Sequence, residues 1–230
     1  MQTVRSHADR RYFEARKQLS EKFGRQEVFS IADQWPLYAG TKNIARFLSI
    51  YELLKQQRAI PGHVAEFGSW HGAMLMFIIK VLQILAPLER RRILSFDTFS
   101  GMPTGDRKGY YCGNLETLRS MIDLHDFSHC IEIHQGRIEE TLPQALSQDE
   151  SLQFSFIYCD ADLYEPTILA LSLCHDRLVS GGVFVLDEWG HADWPGETKA
   201  ISEFILSHGK EYRMESIPGT AQPTLLLRKI

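Results

Sequence analysis

Most of the features that announce a function are missing from these 230 residues. No apolar run approaches the roughly eighteen residues that a membrane-spanning helix needs, so no membrane partner is expected. Lys and Arg total 25 against 29 Asp and Glu, a formal charge of −4. That balance gives no signature of nucleic-acid binding. There are only four cysteines (Cys112, Cys130, Cys159, Cys174), with no CxxC pair and no ligand spacing. They read as reduced thiols of a cytoplasmic protein. The GxGxxG fingerprint is absent, as is the lysine of a phosphate-binding loop, which argues against a nicotinamide oxidoreductase. No repeat, low-complexity tract or long linker is present.

What remains is ordinary in composition, 44% hydrophobic and 23% charged, and long enough for one sizeable α/β domain. The first residues are arginine-rich, as in a transit peptide, but include Asp9, Glu14 and Glu21 and lack the apolar core of a secretory signal. Tyr12, Ala15, Leu19 and Phe23 predict a basic amphipathic helix there. An irregular aromatic stretch containing "WPLYAG" follows. Ile44, Phe47, Leu48, Tyr51 and Leu54 then mark one face of a helix ending near "RAIPG". From "HVAEFG" onward, short apolar strands alternate with helical segments five times, and the C-terminus reads as two strands around a Pro/Gly turn. This order predicts a doubly wound, mostly parallel seven-stranded sheet covered on both faces, closed by an antiparallel last strand and preceded by N-terminal helices.

Ligands of open α/β sheets bind outside the carboxyl ends of the strands. Those exits are Glu66-Phe67-Gly68, Asp97, Gly136, Asp160 and Asp187-Glu188: four carry an acid and the fifth a glycine. In "EFGSWHGAML", Gly68 and Gly72 allow a tight strand-to-helix turn, or close approach of a ligand to backbone. Asp97, about thirty residues on, stands where an acid accepts hydrogen bonds from ribose hydroxyls. Together these two features favour a nucleoside-containing ligand.

The elements "EFGSWHG", "FDTFSGMP", "GRIEETLP", "DADLYEPT", "SGGVFVLDEWG" and "PGETKAISEF" occur in the order and spacing of the macrocin and novobiocin O-methyltransferases, which the chain resembles from about Thr41 to Phe204. The resemblance implies a Rossmann-like fold, S-adenosylmethionine as methyl donor and a small hydroxylated acceptor such as the sugar of a natural product. The pattern of segments divides the chain into residues 1–58, N-terminal helices and lid, and 59–230, one compact methyltransferase domain. Carried across by position, Glu66, Gly68 and Ser69 lie toward the methionine end of the donor, and Gly72, in the same glycine turn, is expected to border the cofactor. Asp97 and Thr98 lie at the ribose, and Gly136, Arg137 and Ile138 at the adenine. Asp160, Asp187 and Glu188 fall at the divalent-metal positions, Asp160 also bordering the cofactor, and Asp162 matches the general base.

One departure stands out: the family commonly has Asp-Asp-Tyr after the fifth strand, where this chain has Asp187-Glu188-Trp189. Three carboxylates without cysteine form a hard, all-oxygen set suited to Mg²⁺. Asp162 also reads as a cap of the next helix, or, if strand geometry persists past Asp160, as a second acid on the same face. His71, His191 and Asp193 read as loop residues near the site. A phenol or carboxyl acceptor, or a nucleoside-binding accessory subunit without catalysis, are the competing functions. Phe29–Tyr38 and the loops 102–113 and 189–196 are expected to select the acceptor, and the N-terminal helices are compatible with a homodimer.

Overall fold

The computed structural model describes residues 32–87, 89 and 91–230. A single helical turn, α1 (Trp35–Tyr38), opens with Pro36 in its first turn, where a missing N–H costs nothing. The stretch expected to be irregular is thus partly helical. The amphipathic helix expected around Tyr12–Phe23 lies outside the described residues.

Next come α2 (Thr41–Gln57), β1 (His63–Phe67), α3 (Ala73–Leu85), β2 (Ile93–Asp97), α4 (Leu115–Leu124), β3 (Ile131–Gln135) and α5 (Ile138–Gln148). They are followed by β4 (Phe154–Cys159), α6 (Tyr164–His175), β5 (Leu178–Leu186), α7 (Pro195–His208), β6 (Tyr212–Ser216) and β7 (Leu225–Lys229). The seven strands form one sheet in the order β3-β2-β1-β4-β5-β7-β6. β1 to β5 pair in parallel, and β7 runs antiparallel between β5 and β6. The doubly wound sheet and terminal hairpin are as the sequence predicts.

All six residues of β4 are buried, because helices cover both faces of the central strands. Its side chains alternate between two cores. Phe156 and Tyr158 join α2, α3 and α4, while Ile157 and Cys159 join α5, α6 and α7. The buried face of α2 is Ile50, Leu53, Leu54 and Gln57. This corrects the predicted face: Leu48 is 59% exposed, and Phe47 and Tyr51 are only partly buried. The rotation turns Arg46, four residues before Ile50, toward the strand ends. Strand order reverses between β1 and β4, and their exits are stitched together where Asp160 N–H donates to the Phe67 carbonyl at 2.8 Å. That is the switch point at which such sheets bind ligands.

Candidate active site

A cleft of about 300 Å³ opens at this switch point. At one end stands Asp97, whose carboxylate accepts the N–H of Trp70 at 2.7 Å and of Phe99 at 2.6 Å. Both donors hold left-handed backbone, φ 49° and 54°, a conformation that costs bulky residues energy. Tyr111 (φ 60°) and Asp162 (φ 61°) do the same on the cleft wall. Backbone strain therefore gathers around this cavity. Thr98, Met102, Pro103 and Ile138 line the cleft beside Asp97, giving a flat aromatic ring an apolar slot next to a hydroxyl acceptor.

Gly68 lines the same wall with φ 86°, and a Cβ there would collide with the Asp160 carbonyl oxygen. Gly72 does something else. It caps α3 in left-handed geometry, and a Cβ would run into the Leu118 side chain, so its small size serves packing. Ser69 and Glu66 lie beneath the cleft, the Ser69 hydroxyl donating to the Glu66 carboxylate. Burial pushes Glu66 up to about 8, the Ser69 bond partly offsetting it. Gly136 donates its N–H to the Asp97 carbonyl at 3.0 Å, and Arg137 pairs with Glu139 at 2.8 Å. Both border the cleft wall through Ile138 rather than forming it.

The other end of the cleft is acidic. Asp160, Asp162 and Glu188 line it, with Asp187 fully buried behind. The strand does not continue to Asp162, which corrects that part of the sequence reading. β4 stops at Cys159, and Leu163 N–H closes onto the Ala161 carbonyl at 2.6 Å. With φ 61° at the middle residue, this is the rare, strained γ-turn, and it aims Asp162 into the cavity. Asp162 caps nothing: α6 begins after Leu163, with no side-chain cap bond. Burial, then the charges of Asp160 and Glu188, push Asp162 up to about 8. Burial likewise raises Asp160, Asp187 and Glu188, with neighbouring carboxylates adding to it.

Asp160, Asp187 and Glu188 each bring one carboxylate oxygen within 4.8 Å of the others. Two buried oxygens of the trio, Asp187 Oδ2 and Glu188 Oε2, have no hydrogen-bond partner among the described residues. Buried carboxylate oxygens without a partner are costly, and a cation would satisfy them, so the donor set fits a hard divalent ion.

The sequence reading missed four residues that build this site. Tyr158 donates its hydroxyl to Asp187 Oδ1 at 2.6 Å. Gln222, from the terminal hairpin, donates to Glu188 Oε1 at 2.5 Å. Glu197, buried at the start of α7, accepts the Glu188 N–H at 3.0 Å. Arg46 reaches in from α2 to Tyr158, Asp160 and Asp187. Glu197→Ala leaves the Glu188 N–H buried and unpaired, so urea unfolding should show a loss of about 1–3 kcal/mol. Glu197→Gln keeps an acceptor carbonyl and should lose much less; equal losses would show that the bond is not what matters.

An aromatic wall completes the cleft mouth. Trp70 and Tyr111 meet edge to face at 6.0 Å, and Tyr111 and Trp194 lie 6.0 Å apart. Arg107 covers Trp194 at 4.1 Å. His191 Nδ1 lies 3.8 Å from Glu188 Oε2 at the rim, and His71 lies against Trp70. All four cysteines are free, Cys112 exposed and the others buried. Among the described residues no helix is long and apolar enough to cross a membrane.

Residues 2–222 match the family described as macrocin-O-methyltransferase (TylF). A curated relative, the 8-demethyl-8-(2,3-dimethoxy-alpha-L-rhamnosyl)-tetracenomycin-C 4'-O-methyltransferase of Streptomyces olivaceus, is 27% identical over 145 residues, 56% of this chain. The match spans about half of that relative's length, 54%. Among solved structures, the calicheamicin methyltransferase CalS11 superposes with a TM-score of 0.79 at 24% identity, covering 99% of this chain and 94% of the other. The O-methyltransferase NovP superposes with a TM-score of 0.64 at 18% identity, covering 79% of each chain. These likenesses show the fold.

Proposed function

Since the chain belongs to the macrocin-O-methyltransferase family, we propose that it transfers a methyl group from S-adenosylmethionine to a hydroxyl of a small polyhydroxylated acceptor, a deoxysugar in the first instance. The observation that carries this reading is the polarity of one cleft: a backbone-fixed Asp97 at one end and, at the other, three clustered acids with Asp162 beside them. The curated relative acts, by its name, on a rhamnosyl group. The aromatic wall of Trp70, Tyr111 and Trp194 supports a sugar here, because flat apolar ring faces suit the C–H face of a pyranose while its hydroxyls turn to the acids.

Asp97 accepts the ribose hydroxyls on lone pairs left free by its two backbone donors, and Ile138 and Met102 flank the adenine. Asp160, Asp187 and Glu188 would hold Mg²⁺, which when bound lowers the pKa of a neighbouring hydroxyl. Asp162 accepts the proton as the acceptor oxygen takes the methyl group, giving a methyl ether and S-adenosylhomocysteine. The cleft walls hold oxygen, methyl carbon and sulfur in line, and orientation supplies much of the rate. The domain that does this runs from about residue 59, with residues 32–41 closing over the cleft.

Two outcomes test the binding half. Asp97→Ala should lose roughly 1.5–3 kcal/mol of S-adenosylmethionine affinity by calorimetry. Unchanged affinity would remove Asp97 from the site. α1 leaves Leu37 74% and Tyr38 64% exposed, an uncovered apolar face just before the helix that carries Arg46. Amide exchange across residues 32–41 should slow when donor and acceptor bind; identical exchange with and without them would show that the segment covers nothing.

A further inference from the structure

Arg46 stands where the chemistry least expects a side-chain cation. Its Nη2 lies 2.5 Å from Asp160 Oδ2 and 2.9 Å from Asp187 Oδ1. The Tyr158 hydroxyl accepts from Arg46 Nε at 3.2 Å and donates to Asp187 Oδ1. Burial works against the guanidinium charge, but Tyr158, Asp160 and Asp187 outweigh it and hold Arg46 firmly protonated. Asp160 and Asp187 are also two of the three carboxylates whose oxygens lie within 4.8 Å of one another.

We propose that Arg46 is a resident counter-ion that competes with the divalent cation for the Asp160 and Asp187 carboxylates, so that loading the site displaces its guanidinium and loosens the start of α2. This rests on the metal reading of the same acids and goes beyond it. A hard divalent ion sits about 2.0–2.6 Å from its oxygens. Held by Asp160 and Asp187, it would stand within van der Waals reach of a guanidinium still bonded to the same groups. Two cations at that separation repel in a site sheltered from water. Arg46 has somewhere to go: its side chain is 27% exposed, whereas that of Asp187 is fully buried. The buried oxygens Asp187 Oδ2 and Glu188 Oε2, which Arg46 does not reach, remain to receive the ion. Without metal, Arg46 keeps the packed acids from repelling one another; with metal, that task passes to the ion. Arg46 is therefore a positioning residue, acting on the reaction through the carboxylates.

The test uses the full chain and Mn²⁺ as probe, followed by electron paramagnetic resonance and free of any acceptor. Arg46→Met keeps the apolar stem and removes the charge, and it should bind Mn²⁺ at least about tenfold more tightly than wild type. Arg46→Lys should stay near wild type. In chelator, Arg46→Met should unfold at a lower temperature than wild type, and Mn²⁺ should raise its midpoint by more. In the wild-type chain, Mn²⁺ should speed amide exchange across residues 41–50. Wild-type Mn²⁺ binding with equal or weaker binding by Arg46→Met overturns the competition and leaves the metal site standing. No Mn²⁺ binding by either chain overturns both. If Arg46→Met does not fold, unchanged exchange across residues 41–50 on adding Mn²⁺ overturns the proposal on the wild-type chain alone.

Discussion

Replacing Asp162 by asparagine should lower the turnover number by about 10²–10⁴-fold, the usual contribution of a positioned general base. The structure makes this substitution unusually clean. Asp162 sits at φ 61°, a conformation that asparagine tolerates about as well as aspartate. The γ-turn closed by Leu163 and Ala161 uses backbone atoms only, so it survives the change. The α6 cap is Leu163, so no helix bond is lost. Size and backbone stay, and only the ability to take a proton goes. S-adenosylmethionine affinity and the unfolding midpoint should therefore change little. Near-wild-type turnover would take proton transfer away from Asp162 and leave the strained turn without a chemical purpose.

Chelation should be the second large effect. In excess EDTA, turnover should fall by about 10²-fold or more, since a Lewis acid contributes several kcal/mol to the transition state. Added Mg²⁺ should restore it. Glu188→Ala should weaken the Mg²⁺ response most visibly at low metal, because it removes one of the three proposed ligands and strands the Gln222 amide that now donates to it. Glutamate is one methylene longer than the aspartate usual at this position, yet Gln222 and the Glu197-anchored backbone hold its head group beside Asp160 and Asp187. Full turnover in EDTA would leave the trio without a metal, with Arg46 the cation bonded to Asp160 and Asp187.

The strand exits were legible in the sequence because a parallel sheet forces every carboxyl end to one edge. An acid that follows an apolar run, such as Asp97 or Asp160, is thus placed by topology alone. The terminal hairpin was legible from its Pro/Gly turn. Asp162 was legible as a site residue but not in its geometry, because alternation of residue types cannot report a three-residue turn. Gly72 looked like part of a ligand turn, and only the contact with Leu118 shows it to be a packing glycine.

Arg46, Tyr158, Glu197 and Gln222 were missed for a common reason: their partners lie far away along the chain or on another element. Arg46 meets residues 112 to 141 positions distant. On an amphipathic helix it reads as part of the solvated face, all the more so when the apolar face is drawn through Leu48. Tyr158 reads as core, which it also is. Glu197 reads as an acid in the first turn of a helix, where acids are common for reasons of dipole alone.

The central claim is that one cleft holds the methyl donor at Asp97 and a cation at Asp160, Asp187 and Glu188, with Asp162 beside them to take the acceptor's proton. A crystal structure of the chain grown with S-adenosylhomocysteine and Mn²⁺ tests this most directly, with anomalous scattering locating the metal. The expected result is ribose hydroxyls on Asp97, the sulfur facing the acidic end, and one anomalous peak coordinated by the three carboxylates. A nucleoside bound away from Asp97, or Mn²⁺ absent from the trio while S-adenosylhomocysteine fills the cleft, would contradict it.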